Sequence, residues 1–299
     1  YNLAVVSDDV AMGVTLVMRG DDHIPNTPKQ ILLYEALGAE LPQFAHLPMI
    51  HGTDGKKLSK RHGATAVGDY RHLGVLPQAM LNFLALLGWS PGEDREVIDV
   101  HELVARFTPD GLLKKAAVFD PQKLDWMNGQ HLARLSPDAV AALAAPALET
   151  AGLATAADLL GPRRAWFDQL LAQLVVRSRS VDDIARQAAP YFGTEVAYDG
   201  DAVAKHWRKD AAQAAALLAA ARDALAGLPE WTAAAIEPAL RDAAAARGVG
   251  AGKLFAPLRV ALTGSAASPG MFDVLLLLGR EVALARIAAA LHLLNGEVR

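Results

Sequence analysis

The densest run of chemistry-bearing residues in the chain is Lys57-Leu58-Ser59-Lys60-Arg61-His62-Gly63, a basic segment led in by the turn signal Asp54-Gly55 and closed by Gly63. Two lysines three positions apart, with a serine between them, can surround a polyphosphate with ammonium and hydroxyl groups. Such a loop would neutralise the charge that builds as pyrophosphate leaves an α-phosphate. A basic surface loop can equally serve only to keep a turn solvated, and the string alone does not separate the two. The second candidate is Arg19, which follows the apolar run Val14–Met18 and precedes Gly20, Asp21 and Asp22. At the carboxyl end of a strand its planar fork would enter a ligand crevice and grip a carboxylate through two hydrogen bonds. A salt bridge to Asp21 or Asp22 is the local alternative.

Other residues carry weaker signals. His23, His46, His51 and His62 gather in one stretch, but no cysteine accompanies them and their spacing matches no zinc pattern. Asp8-Asp9 suits either a Mg²⁺ ion or a cap for the turn Val10–Gly13. Trp89, Trp126 and Trp207 could stack on bases, although tryptophan at helical spacing is usually core. Trp207 stands out because Lys205, His206, Arg208 and Lys209 surround it. Further basic patches are Lys56–Arg61, Lys114-Lys115, Arg163-Arg164 and Arg177–Arg179. Each is also readable as a solvated helix face.

These residues need elements to hold them. Leu3–Val6 and Val14–Met18 are short β-branched runs that read as buried strands. Between them and the basic loop lies a marked helix start: Thr27 as cap, Pro28 at the first helical position and Gln30 completing a Thr-x-x-Gln box, with Gly38 closing the helix. Ala45–Ile50 is a third extended run that delivers the chain into the loop. Strand, helix, strand and phosphate loop form the second half of a doubly wound nucleotide-binding fold, whose ligands sit beyond the carboxyl ends of the strands. After residue 66 the strand signals fade. Leu76–Leu87 is a helix with Pro77 at its start and Gly88 after it, and turns fall at Ser90–Gly92 and Pro109–Gly111. From about 131 onward the periodicity is helical throughout, with segments at Pro137–Leu148, Ala211–Ala226, Thr232–Arg247 and Gly279–Leu294, and a connector at Gly264–Gly270.

In this order and spacing the segments VMRGDDH (Val17–His23), NTPKQILLYEALG (Asn26–Gly38), FAHLPMI (Phe44–Ile50), KLSKR, LPQAMLNFLALLGWS (Leu76–Ser90), FDPQKLDWMNG (Phe119–Gly129), LFAPLRVALTG (Leu254–Gly264) and MFDVLLLLG (Met271–Gly279) resemble bacterial glutamyl-tRNA synthetase. KLSKR stands where class I synthetases carry their KMSKS loop, and Arg61, in place of its final serine, resembles the glutamyl branch. The resemblance implies a fold that is α/β followed by all-α. Residues 1–66 would be the second half of a Rossmann-like catalytic domain, 67–130 a helical stem-contact region and 131–299 a helical anticodon-binding domain. It implies ATP-dependent activation of L-glutamate and its transfer to the 3′ end of tRNA(Glu). Lys57, Ser59 and Lys60 would act at the phosphates, with Asp22, Ile50 and Lys60 on ATP. Tyr1, Val5 and Arg19 would line the glutamate pocket. Lys205, Trp207, Arg208 and Lys209 are candidates for tRNA contact. Mg²⁺ would accompany ATP, held mainly by its phosphates, and no zinc is expected.

The His-x-Gly-His signature of class I synthetases does not occur, and the chain starts at Tyr1. The expectation is therefore a C-terminal part of a longer enzyme that does not form glutamyl adenylate on its own. Two alternatives stand beside it: a glutaminyl-type synthetase, disfavoured by the long helical C-terminal half, and a non-catalytic tRNA-binding module. A truncated paralogue that glutamylates a tRNA base is disfavoured by the anticodon region. Composition is compatible with these readings. The 299 residues are 52% hydrophobic, rich in alanine and without cysteine, which excludes disulfides and thiolate metal sites. No uninterrupted apolar run approaches the ~18 residues a membrane span needs, so the chain reads as soluble, and with the resemblance the expectation is a cytoplasmic monomer. A net charge of −4 is awkward for an RNA partner, which must then be met by local basic patches.

Overall fold

The computed structural model describes residues 1–59 and 66–297. The chain divides into two compact units, Tyr1–Leu132 and Ala133–Arg299.

The first unit opens with helix α1 (Asn2–Met12), strand β1 (Leu16–Gly20), a 3₁₀ turn (Asp21–Asn26), helix α2 (Thr27–Leu37) and strand β2 (Gln43–Leu47). The two strands pair in parallel, with Arg19 opposite His46 and Gly20 opposite Leu47. A parallel pair requires a crossover, and the 3₁₀ turn with α2 supplies it. Pro48, which has no N–H to give a ladder, follows the last residue of β2. Two expectations are corrected here. Leu3–Val6 is helical, not extended: a four-residue apolar run does not separate strand from helix by periodicity, and the helix continues through Asp8 and Asp9 to Gly13, left-handed at φ +66°. Val10–Gly13 is thus the end of α1, and Asp9 accepts a hydrogen bond from the Tyr34 hydroxyl at 3.3 Å. Nor does Thr27 cap α2. Asn26 takes the cap position, Thr27 is already helical, and the buried Gln30 amide donates to Asn2 Oδ1 at 3.0 Å across to α1. Gly38 does close α2 in the left-handed conformation.

The remainder of this unit is helical: α3 (Val67–His72), α4 (Pro77–Leu86), α5 (Val100–Arg106) and α6 (Pro121–Leu132). Its core joins Met80, Phe83 and Leu87 of the α4 segment to Phe119, Leu124 and Met127, and Ile50, Leu58 and Tyr70 pack against it. Phe83 meets Phe119 edge to face at 5.0 Å between centroids. Trp89 is core as well, its indole N–H donating to Thr108 O.

The second unit is built from α7 (Pro137–Thr150), α8 (Ala156–Leu160), α9 (Arg164–Leu174), α10 (Val181–Ala188), α11 (Gly200–His206), α12 (Ala211–Ala226), α13 (Ala233–Ala246), α14 (Ala251–Thr263) and α15 (Met271–Glu297). Side-chain caps start many of them, among them Ser136, Thr155, Ser180, Asp199, Asp210 and Thr232. Gly279, at φ 74° and ψ 166°, divides α15 into two helical segments, the second of which is the helix expected from Gly279. Among the described residues, no helix is long and apolar enough to cross a membrane.

Arg286 of α15 is 2% exposed and faces carbonyls rather than a carboxylate. Its guanidinium donates to Gly193 O (2.9 Å), Thr194 O (3.3 Å) and Leu262 O (2.5 Å), tying the segment after α10 to the end of α14. Burial lowers its pKa from the ordinary arginine value. Replacing it with Met keeps much of the volume but removes every donor. Arg286→Met is expected to destabilise the chain by about 2–4 kcal/mol, the cost of buried carbonyls left without partners. Urea unfolding followed by circular dichroism checks this, and an unchanged midpoint would show the carbonyls finding other donors.

Candidate active site

The site forms where β1 and β2 end. Arg19, next to last in β1, lies in register with His46 of β2, so both emerge at the carboxyl edge. Arg19 Nη2 donates to Thr27 Oγ1 at 2.9 Å, and Thr27 Oγ1 lies 3.1 Å from His46 Nε2 and 3.4 Å from the His23 carbonyl. The guanidinium carbon sits 5.7 Å from the centre of the Phe44 ring. Arg19 Nε is buried with no partner. Among the described residues neither Asp21 nor Asp22 pairs with Arg19, so the local salt-bridge alternative does not form.

Tyr1 joins the same network from the start of α1. Its hydroxyl is 3.5 Å from His23 Nδ1 and the two rings are 6.0 Å apart. Asn26 Nδ2 lies 3.3 Å from the same ring nitrogen, so the two groups share one position on His23. Val5, half-buried, is one turn along α1 and donates its N–H to Tyr1 O at 3.0 Å. A Cβ on Gly20 would stand 2.7 Å from Asp22 Oδ1, and glycine there leaves Asp22 room to fold back over the strand end.

Asp22 reaches the basic loop. Lys57 Nζ donates to Asp22 Oδ2 at 2.8 Å. That hydrogen bond, ahead of the lysine's and the neighbouring His23's charges, holds the Asp22 carboxyl below the usual carboxylate range. The loop's approach is fixed from both sides. His51 pairs with Lys57, Gly52 N–H donates to Lys56 O (2.8 Å), and Leu58 N–H donates to Ile50 O (3.0 Å). Gly55 turns the hairpin at φ +73°, and the Asp54 carboxylate accepts from Lys56 N–H. Ile50 and Leu58 anchor this hairpin in the core. Beside Ile50 an apolar cavity of about 220 Å³ is bounded by Leu47, Pro48, Leu84 and Trp89. Ser59 is half-buried and Lys60 lies outside the described residues, as do Arg61, His62 and Gly63.

Sequence reasoning missed Thr27 and His46. Aligning the two apolar runs by their ends would have placed His46 beside Arg19. No sequence signal distinguished a capping Thr27 from one that orients a neighbouring guanidinium.

In the second unit Lys205, Arg208 and Lys209 are exposed, whereas Trp207 is buried at 3% exposure. Its indole N–H donates to Pro257 O at 3.2 Å, and its ring packs on Tyr198 with centroids 4.9 Å apart. A base cannot stack on it. Burial first, then the charges of Lys205 and Arg259, lower the His206 imidazole from its ordinary pKa. The Arg163-Arg164 patch is largely spent inside the protein: Arg163 pairs with Asp158 and lies over Trp166, and Arg164 bridges Asp138 and Asp168. Among the described residues no three His, Asp or Glu side chains gather into a metal-holding group.

A two-stranded parallel sheet thus carries an arginine and a basic segment at its carboxyl edge, and a helical unit follows in the chain. The chain belongs to the class I tRNA synthetases of the glutamate and glutamine type: residues 1–126 match the catalytic domain of that family and residues 139–291 an anticodon binding domain. Within it the similarity is to glutamate–tRNA ligases. That of Moorella thermoacetica is 43% identical over 292 residues, covering 97% of this chain and 59% of the relative. That of Geobacter sulfurreducens is 43% identical over 295 residues, covering 99% and 61%. The crystal structure of a glutamate tRNA ligase from Elizabethkingia meningosepticum in complex with its amino acid superposes with a TM-score of 0.77 at 29% identity, over 98% of this chain and 60% of that one. The chain thus spans about three fifths of the length of these relatives.

The Asp22–Lys57 pair generates a direct expectation. A carboxyl whose pKa is depressed keeps its pair above that pKa and loses it as pH falls through it. Lys57→Ala is expected to return Asp22 upward to the ordinary carboxylate range, read by carboxyl-carbon NMR titration. A titration unchanged by the substitution would mean that Lys57 does not hold Asp22 in solution.

Proposed function

We propose that this chain serves in a glutamate–tRNA ligase, where it supplies part of the glutamate site, the nucleotide-facing basic loop and the tRNA-binding helical region. The observation that carries this reading is the junction of Arg19, Thr27, Asp22 and Lys57 at the carboxyl edge of the parallel pair. Glutamate would place its side-chain carboxylate on Arg19, whose unpartnered Nε is a donor already desolvated and waiting for an acceptor. Tyr1 and Val5 would border that pocket. Its α-carboxylate oxygen would attack the α-phosphorus of ATP, breaking the bond to pyrophosphate and forming glutamyl adenylate. The tRNA 3′ end then attacks the adenylate carbonyl and AMP departs.

In the first step charge moves onto the leaving pyrophosphate. Lys57, Ser59 and Lys60 are the groups of the loop suited to receive it, with Mg²⁺ carried on the ATP phosphates. Asp22 would take hydrogen bonds from the uncharged part of ATP, because an unpaired carboxylate would repel the phosphates. Its pairing with Lys57 in the absence of nucleotide keeps both charges compensated until ATP competes for the lysine. Ile50 would contribute backbone to the adenine, next to the apolar cavity. Residues 67–130 would contact the acceptor side of the tRNA and residues 131–299 the anticodon side, in a cytoplasmic monomer. The helical second unit and the glutamate specificity named for the relatives support this reading over a glutaminyl enzyme.

Two substitutions in the full-length ligase test the assignment. Arg19→Gln is expected to raise the Michaelis constant for glutamate about 10–100-fold, the loss of a charge-assisted pair of hydrogen bonds, with ATP binding near normal. An unaltered constant for glutamate would remove Arg19 from the pocket. Lys60→Ala is expected to slow ATP–pyrophosphate exchange roughly 10²–10³-fold with little change in tRNA affinity. Undiminished exchange would reduce the loop to a solvated turn.

A further inference from the structure

The second unit contains three lysines, Lys205, Lys209 and Lys253, and all three line one groove of about 450 Å³. They come from three elements: Lys205 from the end of α11, Lys209 from the 3₁₀ turn Arg208–Asp210, and Lys253 from the first turn of α14. Among the described residues none of the three makes an ion pair. The groove's one lining carboxylate, Asp210, caps α12, its Oδ1 accepting the Gln213 N–H at 2.9 Å, and the three lysines outnumber it.

The walls of the groove are held in place. Trp207, between two of the lysines in sequence, is buried beneath them, and its indole N–H donates to the carbonyl of Pro257, itself a lining residue of α14. The wall carrying Lys205 and Lys209 is thereby pinned to the wall carrying Lys253. Three ammonium groups held around one space repel each other, and an anion entering it relieves that repulsion.

The lining also says how an anion would be recognised. It contains no arginine fork, and the His206 imidazole is its one aromatic ring, so its positive charge is presented as lysine point charges. Lysine point charges distributed over two walls suit successive phosphates of a polymer. We infer that this groove binds the phosphodiester backbone of RNA without regard to its sequence, and so supplies affinity for tRNA but no discrimination between anticodons. The inference rests on the reading of the second unit as RNA-binding. It adds Lys253 to the RNA-facing residues and reassigns Trp207 from stacking on bases to holding the two walls together.

The test compares the 299-residue chain with its Lys205→Ala/Lys209→Ala/Lys253→Ala variant, binding a glutamate tRNA and the same tRNA with an altered anticodon across 50–200 mM KCl. Because the variant can no longer neutralise three of the RNA phosphates, the slope of log affinity against log salt should fall by about 2–3, at roughly 0.7–0.9 per phosphate. Affinity at the low-salt end should drop about tenfold or more, by the same factor for both RNAs. Arg241→Ala, which removes an exposed arginine already paired with Glu237, should leave the slope unchanged. Circular dichroism establishes that each variant is folded, as expected for exposed substitutions. An unaltered slope in the triple variant overturns the inference while leaving the RNA-binding reading intact. A loss confined to one of the two RNAs overturns it in favour of base recognition. If the unsubstituted chain binds neither RNA, the reading of the second unit falls, and the inference with it.

Discussion

Thr27 Oγ1 can give one proton and accept two, and Arg19, His46 and the His23 carbonyl all lie within its reach. Arg19 is always a donor, so one lone pair of the hydroxyl is committed to it. With His46 neutral and protonated on Nδ1, the hydroxyl proton goes to its Nε2. With His46 charged, Nε2 donates instead and the proton turns to the His23 carbonyl. Both arrangements keep Arg19 Nη2 in place and leave Nε unpartnered. The guanidinium is therefore aimed by a network that tolerates either state of the histidine. A buried, unpaired Nε costs about 1–3 kcal/mol. The parallel register of Arg19 with His46 and the 3₁₀ turn that leads into Thr27 are what bring these groups within hydrogen-bonding distance of each other.

The basic loop depends on a different physics. Lys57 is exposed and its ion pair with Asp22 is solvated, so that pair contributes little to stability. What fixes the loop is apolar: Leu58 and Ile50 insert into the core formed by α4, Phe119 and α6, and the hairpin hydrogen bonds carry that placement out to Lys57. A helical region that looks like a mere connector in sequence is thus the foundation on which the hairpin leading to Lys57 stands. Its buried asparagines serve the same end. Asn82 accepts from Ile98 N–H and donates to Glu96 O, while Asn128 accepts from Leu76 N–H and donates to Gly74 O, fixing both ends of the segment that packs under the loop.

The legible parts of the sequence were those written in local chemistry. Gly38, Pro77 and the bounds of α12 follow from backbone preferences that tertiary context did not override. KLSKR and the arginine after VTLVM were visible because charged side chains at the end of apolar runs have few structural reasons to be there. The failures came where two residues far apart decide the outcome. Leu3–Val6 has the composition of a strand but lies in a helix packed beside α2, with Val6 as its buried side chain. Thr27 satisfies the pattern of a cap, yet Arg19 and His46, neither of them adjacent in sequence, claim its hydroxyl first. Lys253 is 44 residues beyond Lys209, and only the packing of α14 against the α11 corner joins them in one groove.

Net charge misled for a related reason. A total of −4 counts every cation equally, but arginine and lysine have been put to different uses in the second unit. Several arginines are consumed within the fold: Arg164, Arg222 and Arg241 on neighbouring carboxylates, Arg280 and Arg286 on backbone carbonyls, and Arg259 on the Ser268 hydroxyl. A planar fork with fixed donor directions suits those internal partners, whereas the more strongly hydrated ammonium of lysine favours the surface. The three lysines consequently carry a disproportionate share of the charge left free to meet an external anion, and they face one groove. For a polyanionic partner the relevant quantity is the number of cations without internal partners on one surface, not the sum over the chain. By that measure an acidic protein can still present a positive surface.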